Sequence, residues 1–388
     1  MTRDVFPGGD HVLTPDGPIA SDLGVDSASL DLPAADAALP VVPITTARQR
    51  IVPVLPPKKQ STFDKAQWGI TKVASGEAHV RHDALGVDVL RPGGGTPSSV
   101  LLVPHLSDTH LVDEESPART IELDGFVGKI AGGWRYQDAH MTYVLDAMIR
   151  KIREIDAFRP VDFVMHTGDA IDNCQYNELM WFQTVMAGGK VVPNSGALED
   201  PIPGPDNDPH DGFTAMGLGT IPYYVAYGNH DGLVQGNLPL DSGPGDHSSI
   251  AGDPTRNNVT QLQLTKTDPP ACHPIPTDES PAPPRCVPTY RQDLKAGSLV
   301  ADKKRQDLNR FEYFDLWLKA RGEPKGHGFD VMNATTQRGN YVVTPIPGVP
   351  LRLVGLDTCA PLGAQGDYPQ KDIDDFLVPA LKQAEVDG

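Results

Sequence analysis

The sequence predicts an α/β fold, and three mostly apolar runs carry the prediction. These are "VLLVPHLSD" (100–108), "VDFVMHTGD" (161–169) and "IPYYVAYGNHD" (221–231). Each reads as a strand covered on both faces, since the apolar residues run on rather than alternate. Helical patterns lie between them. "QDAHMTYVLDAMIRKIREID" (137–156) places Met141, Val144, Leu145, Met148, Ile152 and Ile155 on one stripe. "NELMWFQTVMAGG" (177–189) is a shorter helix that stops in glycines. Strand–helix–strand alternation implies a sheet packed against helices.

Ahead of the first strand, residues 1–97 read as an acidic, Pro/Gly-rich extension. Residues 1–40 hold seven aspartates and one arginine and read as disordered. Residues 41–95 hold a strand or two, around "RQRIVPVLPP" and "HDALGVDVLRPGGG". The main domain is expected over 98–388. Residues 232–337 interrupt its alternation as a large irregular insertion. It holds eight prolines between 267 and 288, no strand or helix period there, and one helix at 307–320. "GNYVVTPI" (339–346) and "PLRLVGLDT" (350–358) then read as a hairpin or adjacent strands. The end, "QKDIDDFLVPALKQAEVDG", reads as a helix in which Pro379 forces a kink or a new turn.

With 388 residues, 39% of them hydrophobic, the chain can bury a sizeable core. No apolar run is long enough to span a bilayer. The start "MTRDVFPGGDHVL" has no apolar segment of the secretory type, so a cytoplasmic location is favoured, with export as the alternative. The net charge of −18 argues against a duplex nucleic acid partner. Of the four cysteines, Cys174 and Cys359 read as buried thiols, while Cys272 and Cys286 flank the proline-rich segment and could pair.

The chemistry gathers where the three strands stop. The first ends Asp108-Thr109-His110, the second Gly168-Asp169-Ala170-Ile171-Asp172, the third Gly228-Asn229-His230-Asp231. In open α/β sheets, ligands sit outside the carboxyl ends of strands. Asp108 and His110 stand two apart, so in an extended segment both side chains face one ion. Asp169 follows a glycine and can share two oxygens between two cations. Asn229 offers a neutral carbonyl oxygen. Such mixed N/O ligands suit Zn, Mn or Fe. His230 is placed for proton transfer, with Asp172 orienting its ring. Asp231 reads as a residue that holds backbone. His105 and His166 read as core or supporting residues, and His140 as surface. Arg119 reads as a surface ion pair or a phosphate contact. Asn173 and Asn177 are outside candidates for reaching the site. The sequons at Asn258 and Asn333 are weak matches.

The ordered set Asp108-x-His110, Gly168-Asp169-x-x-Asp172 and Gly228-Asn229-His230-Asp231 resembles the calcineurin-like metallophosphoesterase family. The resemblance covers roughly residues 98–231 and again about 338–386. It implies a double β-sheet sandwich flanked by helices, an αββα fold. It implies a dinuclear centre of divalent or trivalent ions (Mn, Fe or Zn) acting on a small-molecule or exposed phosphate mono- or diester, by attack of a metal-bound hydroxide. Asp108 and His110 would bind one ion, Asp169 would bridge, and Asn229 would bind the second. His230, paired with Asp172, would protonate the leaving oxygen.

The family pattern continues, after the "GLDT"-type strand and a helix, with a strand ending in a ligand histidine and then Gly-His-x-His. This sequence ends at Gly388, and its last histidine is His327. The expectation is a fold incomplete at its C-terminus, with three ligand histidines missing. The alternatives are substitution by His247, His273 or His327, or a degenerate protein. A non-catalytic module that binds metal weakly is the rival function.

Overall fold

A computed structural model describes residues 49–53, 71–76, 101–116, 138–197, 203–204, 208–236, 261–266, 272–273, 285–286, 290–295, 302–359 and 369–387. All of them fall in one compact unit, Val42–His82 with Val100–Gly388. The expectations for residues 1–40, for Arg119, His247 and Asn258, and for "HDALGVDVLRPGGG" lie outside the described residues.

The chain first makes an antiparallel pair, β1 (Gln49–Pro53) with β2 (Thr71–Ser75). The site rests on a three-stranded parallel sheet. Its strands are β3 (His105–Leu106), β4 (Val164–His166) and β7 (Tyr223–Val225), in the order β3–β4–β7. Leu106 and Val225 flank His166 on either side. The strands are shorter than their apolar runs suggest. Gly168 turns at φ 104°, and Asp108, His110 and Asp169 turn at φ 52°, 42° and 55°. Pairing nevertheless runs on past the strand ends, since Asp108 N–H reaches Gly168 O at 3.1 Å and His110 N–H reaches Asp169 O at 3.0 Å.

Helix α1 (Met141–Phe158) follows a 3₁₀ turn, Asp138–His140, and ends at Arg159, which is extended because a proline follows it. Its buried face is Thr142, Leu145, Asp146, Ile149 and Ile152. Val144 and Met148, expected inside, are 44% and 36% exposed. The helix is rotated from the apolar stripe because Asp146 turns inward, accepting Met216 N–H at 2.8 Å and pairing with Arg150. Helix α2 (Tyr176–Ala187) ends at Gly188, φ 83°, as its terminal glycines predict. Trp181 and Phe182 lie in the core. Short strands β5 (Gly189–Val191) and β6 (Phe213–Ala215) pair between α2 and β7.

The insertion departs most from expectation. Its proline-rich part carries paired strands: β8 (Gln261–Lys266) with β11 (Tyr290–Lys295), and β9 (Cys272–His273) with β10 (Arg285–Cys286). The register sets Cys272 opposite Cys286. Helix α3 (Arg310–Lys319), opened by an Asn309/Glu312 capping box, is part of the core. Its Tyr313, Phe314 and Trp317 are fully buried against Phe182, Tyr223, Tyr227 and Phe329. Each such ring contributes roughly 1.5–3 kcal/mol of burial. A short helix, α4 (Val331–Thr336), follows.

The expected hairpin is present as antiparallel β12 (Tyr341–Val343) and β13 (Leu353–Gly355). The last segment is helical: Gln370–Asp372, a π-helical turn Ile373–Leu377, then Val378–Asp387. The wider turn lies just ahead of Pro379, whose ring would press on the carbonyl four residues back in a regular helix. Among the described residues, no helix is long and apolar enough to cross a membrane.

Candidate metal centre

The loops after β3, β4 and β7 meet at the carboxyl edge of the sheet. Ligand atoms of His110, Asp169 and His230 lie within 4.8 Å of one another. His110 Nε2 stands 3.7 Å from Asp108 Oδ1 and 3.7 Å from Asp169 Oδ2. These gaps are too long for hydrogen bonds. They suit donors that share an ion at roughly 2.0–2.2 Å each. Asp108 is the outer member, with a side chain 64% exposed. Ser107 Oγ donates to its Oδ2, and Thr167 Oγ1 donates to Ser107 Oγ at 2.9 Å.

The extended geometry expected for Asp108 and His110 is not what aims them. Both have left-handed backbone. This is an uncommon conformation for residues other than glycine, and such strain concentrates at functional sites. Asp169 shares it.

Two buried carboxylates hold these loops in place. Asp231 is 0% exposed. It accepts the N–H groups of Gly228, Asp169, Ala170 and Ile171 at 2.8–3.2 Å. It therefore ties the third loop to the second, the backbone-holding role read from the sequence. Burial and the charge of Asp169 push its carboxyl up to about 7, against the pull of those N–H donors. Glu178, on α2, accepts Asp113 N–H at 2.9 Å and Asn173 N–H at 2.8 Å, which ties the first loop to the second. Burial and the charge of Asp172 push it up to about 8. The sequence offered no signal for Glu178, which sits in a helix with ordinary spacing.

His230 N–H donates to Asp169 Oδ1 at 2.9 Å. Its Nδ1 lies 2.8 Å from Asp172 Oδ1, the pairing the sequence suggested. The same oxygen lies 3.0 Å from His110 Nδ1, which it did not. Burial opposes charge on His110, but the bond to Asp172 and the charges of Asp172, Asp169 and Asp108 outweigh it and raise the ring's pKa. Asn229 Nδ2 donates to Gly236 O at 3.0 Å, which turns the amide so that Oδ1 is the atom it could offer a cation. Two glycines make room. A Cβ on Gly228 would lie 2.2 Å from Asp169 N and Oδ1, and one on Gly236 would lie 2.4 Å from His230 Nε2.

The donors that converge on one point are His110, Asp169 and His230, a set that fits one N/O-preferring ion, with Asp108 beside His110 at its edge. A second ion would draw on Asn229 Oδ1 and Asp169, two ligands among the described residues. His230, read from the sequence as a proton donor, stands close enough to be a ligand.

Other candidates fall outside. His327 is buried, stacked 3.8 Å from Tyr223, with its ring nitrogens on the Tyr223 and Arg321 carbonyls, so the ring is engaged away from the cluster. The side chain of His273 lies outside the description. His166 is buried with Nε2 3.0 Å from Thr109 Oγ1, and His105, expected to be a core or supporting residue, is exposed beside Thr167. Asn173 and Asn177 are buried on Glu178 and Asp113 and do not reach the cluster. Asn333 Nδ2 is bound by two carbonyls and buried, so it is no glycan acceptor. Cys174 is buried as expected, and Cys359 only partly.

The stretch "DEES" after the first loop forms a buried network. Asp113 and Arg305 pair at 3.2 Å with side chains 1% exposed, and Glu114 pairs with His210 at 2.6 Å. No family model, curated protein or solved structure matches this chain.

Proposed function

We propose that the protein is a metal-dependent phosphoesterase of the calcineurin-like metallophosphoesterase kind, with the αββα sandwich that this family implies. The observation that carries the reading is His110. One ring nitrogen is held by Asp172, and the other faces the carboxylates of Asp108 and Asp169. Two strand ends far apart in sequence supply this arrangement, and the third brings His230 beside it, which supports the reading.

Asp108, His110 and Asp169 would hold one ion. Asp169 and Asn229 would hold a second. Divalent or trivalent cations there supply a Lewis acid for the phosphoryl oxygens and a more acidic water. The chain's own residues do the rest. Asp231 and Glu178 keep the ligand loops at fixed spacing. His230 delivers a proton to the departing ester oxygen, and Asp172 keeps its ring oriented. A pocket of about 470 Å³ opens beside Asn229, walled by Leu233, Arg310, Gln337, Arg338 and Asp357. It is the space offered to the alcohol part of the substrate.

The test is hydrolysis of p-nitrophenyl phosphate and bis(p-nitrophenyl) phosphate by protein loaded with Mn²⁺, Zn²⁺ or Fe²⁺. Turnover of at least one ester, abolished by Asp169→Asn, is the expected result. Metal uptake without turnover would leave a non-catalytic metal-binding module instead.

A further inference from the structure

We infer that Asp172 positions the metal ligand as well as the acid: through one carboxylate oxygen it keeps the ring protons of both His110 and His230 on Nδ1. This rests on the metal-centre reading above. It adds the device that readies the histidines for their two tasks.

Asp172 Oδ1 lies 3.0 Å from His110 Nδ1 and 2.8 Å from His230 Nδ1. The two rings stand 4.2 Å apart at 82°, so they approach that oxygen from different directions. A carboxylate oxygen has two lone pairs and can accept two N–H groups. It cannot donate when ionised. Each Nδ1 must therefore carry its ring's proton. His230 confirms the logic independently, because its Nδ1 also lies 3.3 Å from the backbone oxygen of Asp172, a second pure acceptor.

The consequences differ for the two rings. With the proton on Nδ1, His110 Nε2 is bare, and it is the atom that faces Asp108 and Asp169. A histidine binds metal through such an unprotonated nitrogen, and the other nitrogen's hydrogen bond decides which one that is. For His230, Nε2 becomes the atom that gains and gives a proton. It sits against Gly236, where a side chain would block it. Asp172 is itself fixed, since its N–H donates to Leu111 O at 3.1 Å and the next residue is held by Glu178. One anion thus couples the first loop to the third through the second.

The experiment has two readouts on the full chain. The first is long-range ¹H–¹⁵N correlation of the imidazoles in metal-free protein at pH 9. Wild type is expected to show His110 as the Nδ1–H tautomer. Asp172→Ala shifts it toward Nε2–H. Asp172→Asn, which keeps the shape and one acceptor oxygen, lies between and guards against a folding defect. The second is Co²⁺ titration followed by visible absorption, with about 10–100-fold weaker binding in Asp172→Ala. Nε2–H in wild type, or the same tautomer in Asp172→Ala, would overturn the inference, as would unchanged Co²⁺ affinity in Asp172→Ala. Failure of wild type to bind Co²⁺ while His110 keeps the expected tautomer would instead overturn the metal-centre reading, and the inference with it.

Discussion

The Asp231 carboxyl group receives the backbone N–H of Asp169 at 3.1 Å, so the residue proposed to bridge two ions is held by a buried acidic side chain on another loop. Three further N–H groups share that carboxylate. Asp231→Ala orphans all four inside the protein. The expected cost is about 3–5 kcal/mol in a urea melt, since each buried unpaired donor costs about 1–3 kcal/mol and water entry relieves some of them. Asp231→Asn, which keeps one acceptor, should cost less.

Gly228→Ala attacks the same junction from the other side. The added methyl would lie 2.2 Å from Asp169 N and Oδ1, and both cannot keep their places. The expected result is a loss of about 1–3 kcal/mol of stability. Mn²⁺ affinity in calorimetry should fall about tenfold, in the range seen when a ligand's support is removed.

Stability should fall as pH rises. Burial pushes Asp231 to about 7 and Glu178 to about 8. Burial lowers His210, but its bond to Glu114 and the charges of Glu114, Glu115 and Asp208 outweigh that and hold it at about 9. All three folded values lie above the unfolded ones. The folded state therefore keeps protons that the unfolded state has released. The contribution is full below the unfolded value and lost as pH climbs through the folded one. Melting temperatures of metal-free protein should decline between pH 5 and 9. Glu178→Gln should be less stable at pH 5 and show a shallower decline.

Arg305→Met should destabilise by about 3–5 kcal/mol, because it strands Asp113 in the interior. Adding Asp113→Asn should recover part of the loss. Purely additive effects in the double-variant urea melts would show that the pair is not coupled.

How much of this was legible in the sequence follows from where each signal lives. Strand-end positions of Asp108, His110, Asp169, Asn229 and His230 were readable, because apolar runs mark strands and the polar residues stand at their ends. Asp231 was readable as backbone support. The sharing of Asp172 by two rings was not, since it depends on how loops cross in space. Glu178 was missed because a buried carboxylate on a helix looks like any surface one until its neighbours are known. The face of α1 was misjudged by periodicity, since Asp146 buys burial through hydrogen bonds that hydropathy does not count. The core role of α3 was hidden for a related reason: its aromatic face sits inside a stretch whose prolines suggested irregular chain.

The most direct test of a metal centre here is a crystal soaked in Mn²⁺ and measured at the manganese absorption edge. The account predicts an anomalous peak roughly 2.0–2.2 Å from His110 Nε2 and in contact with the Asp169 carboxylate. A map with no peak between these two side chains, from crystals that hold the ion elsewhere, would contradict it.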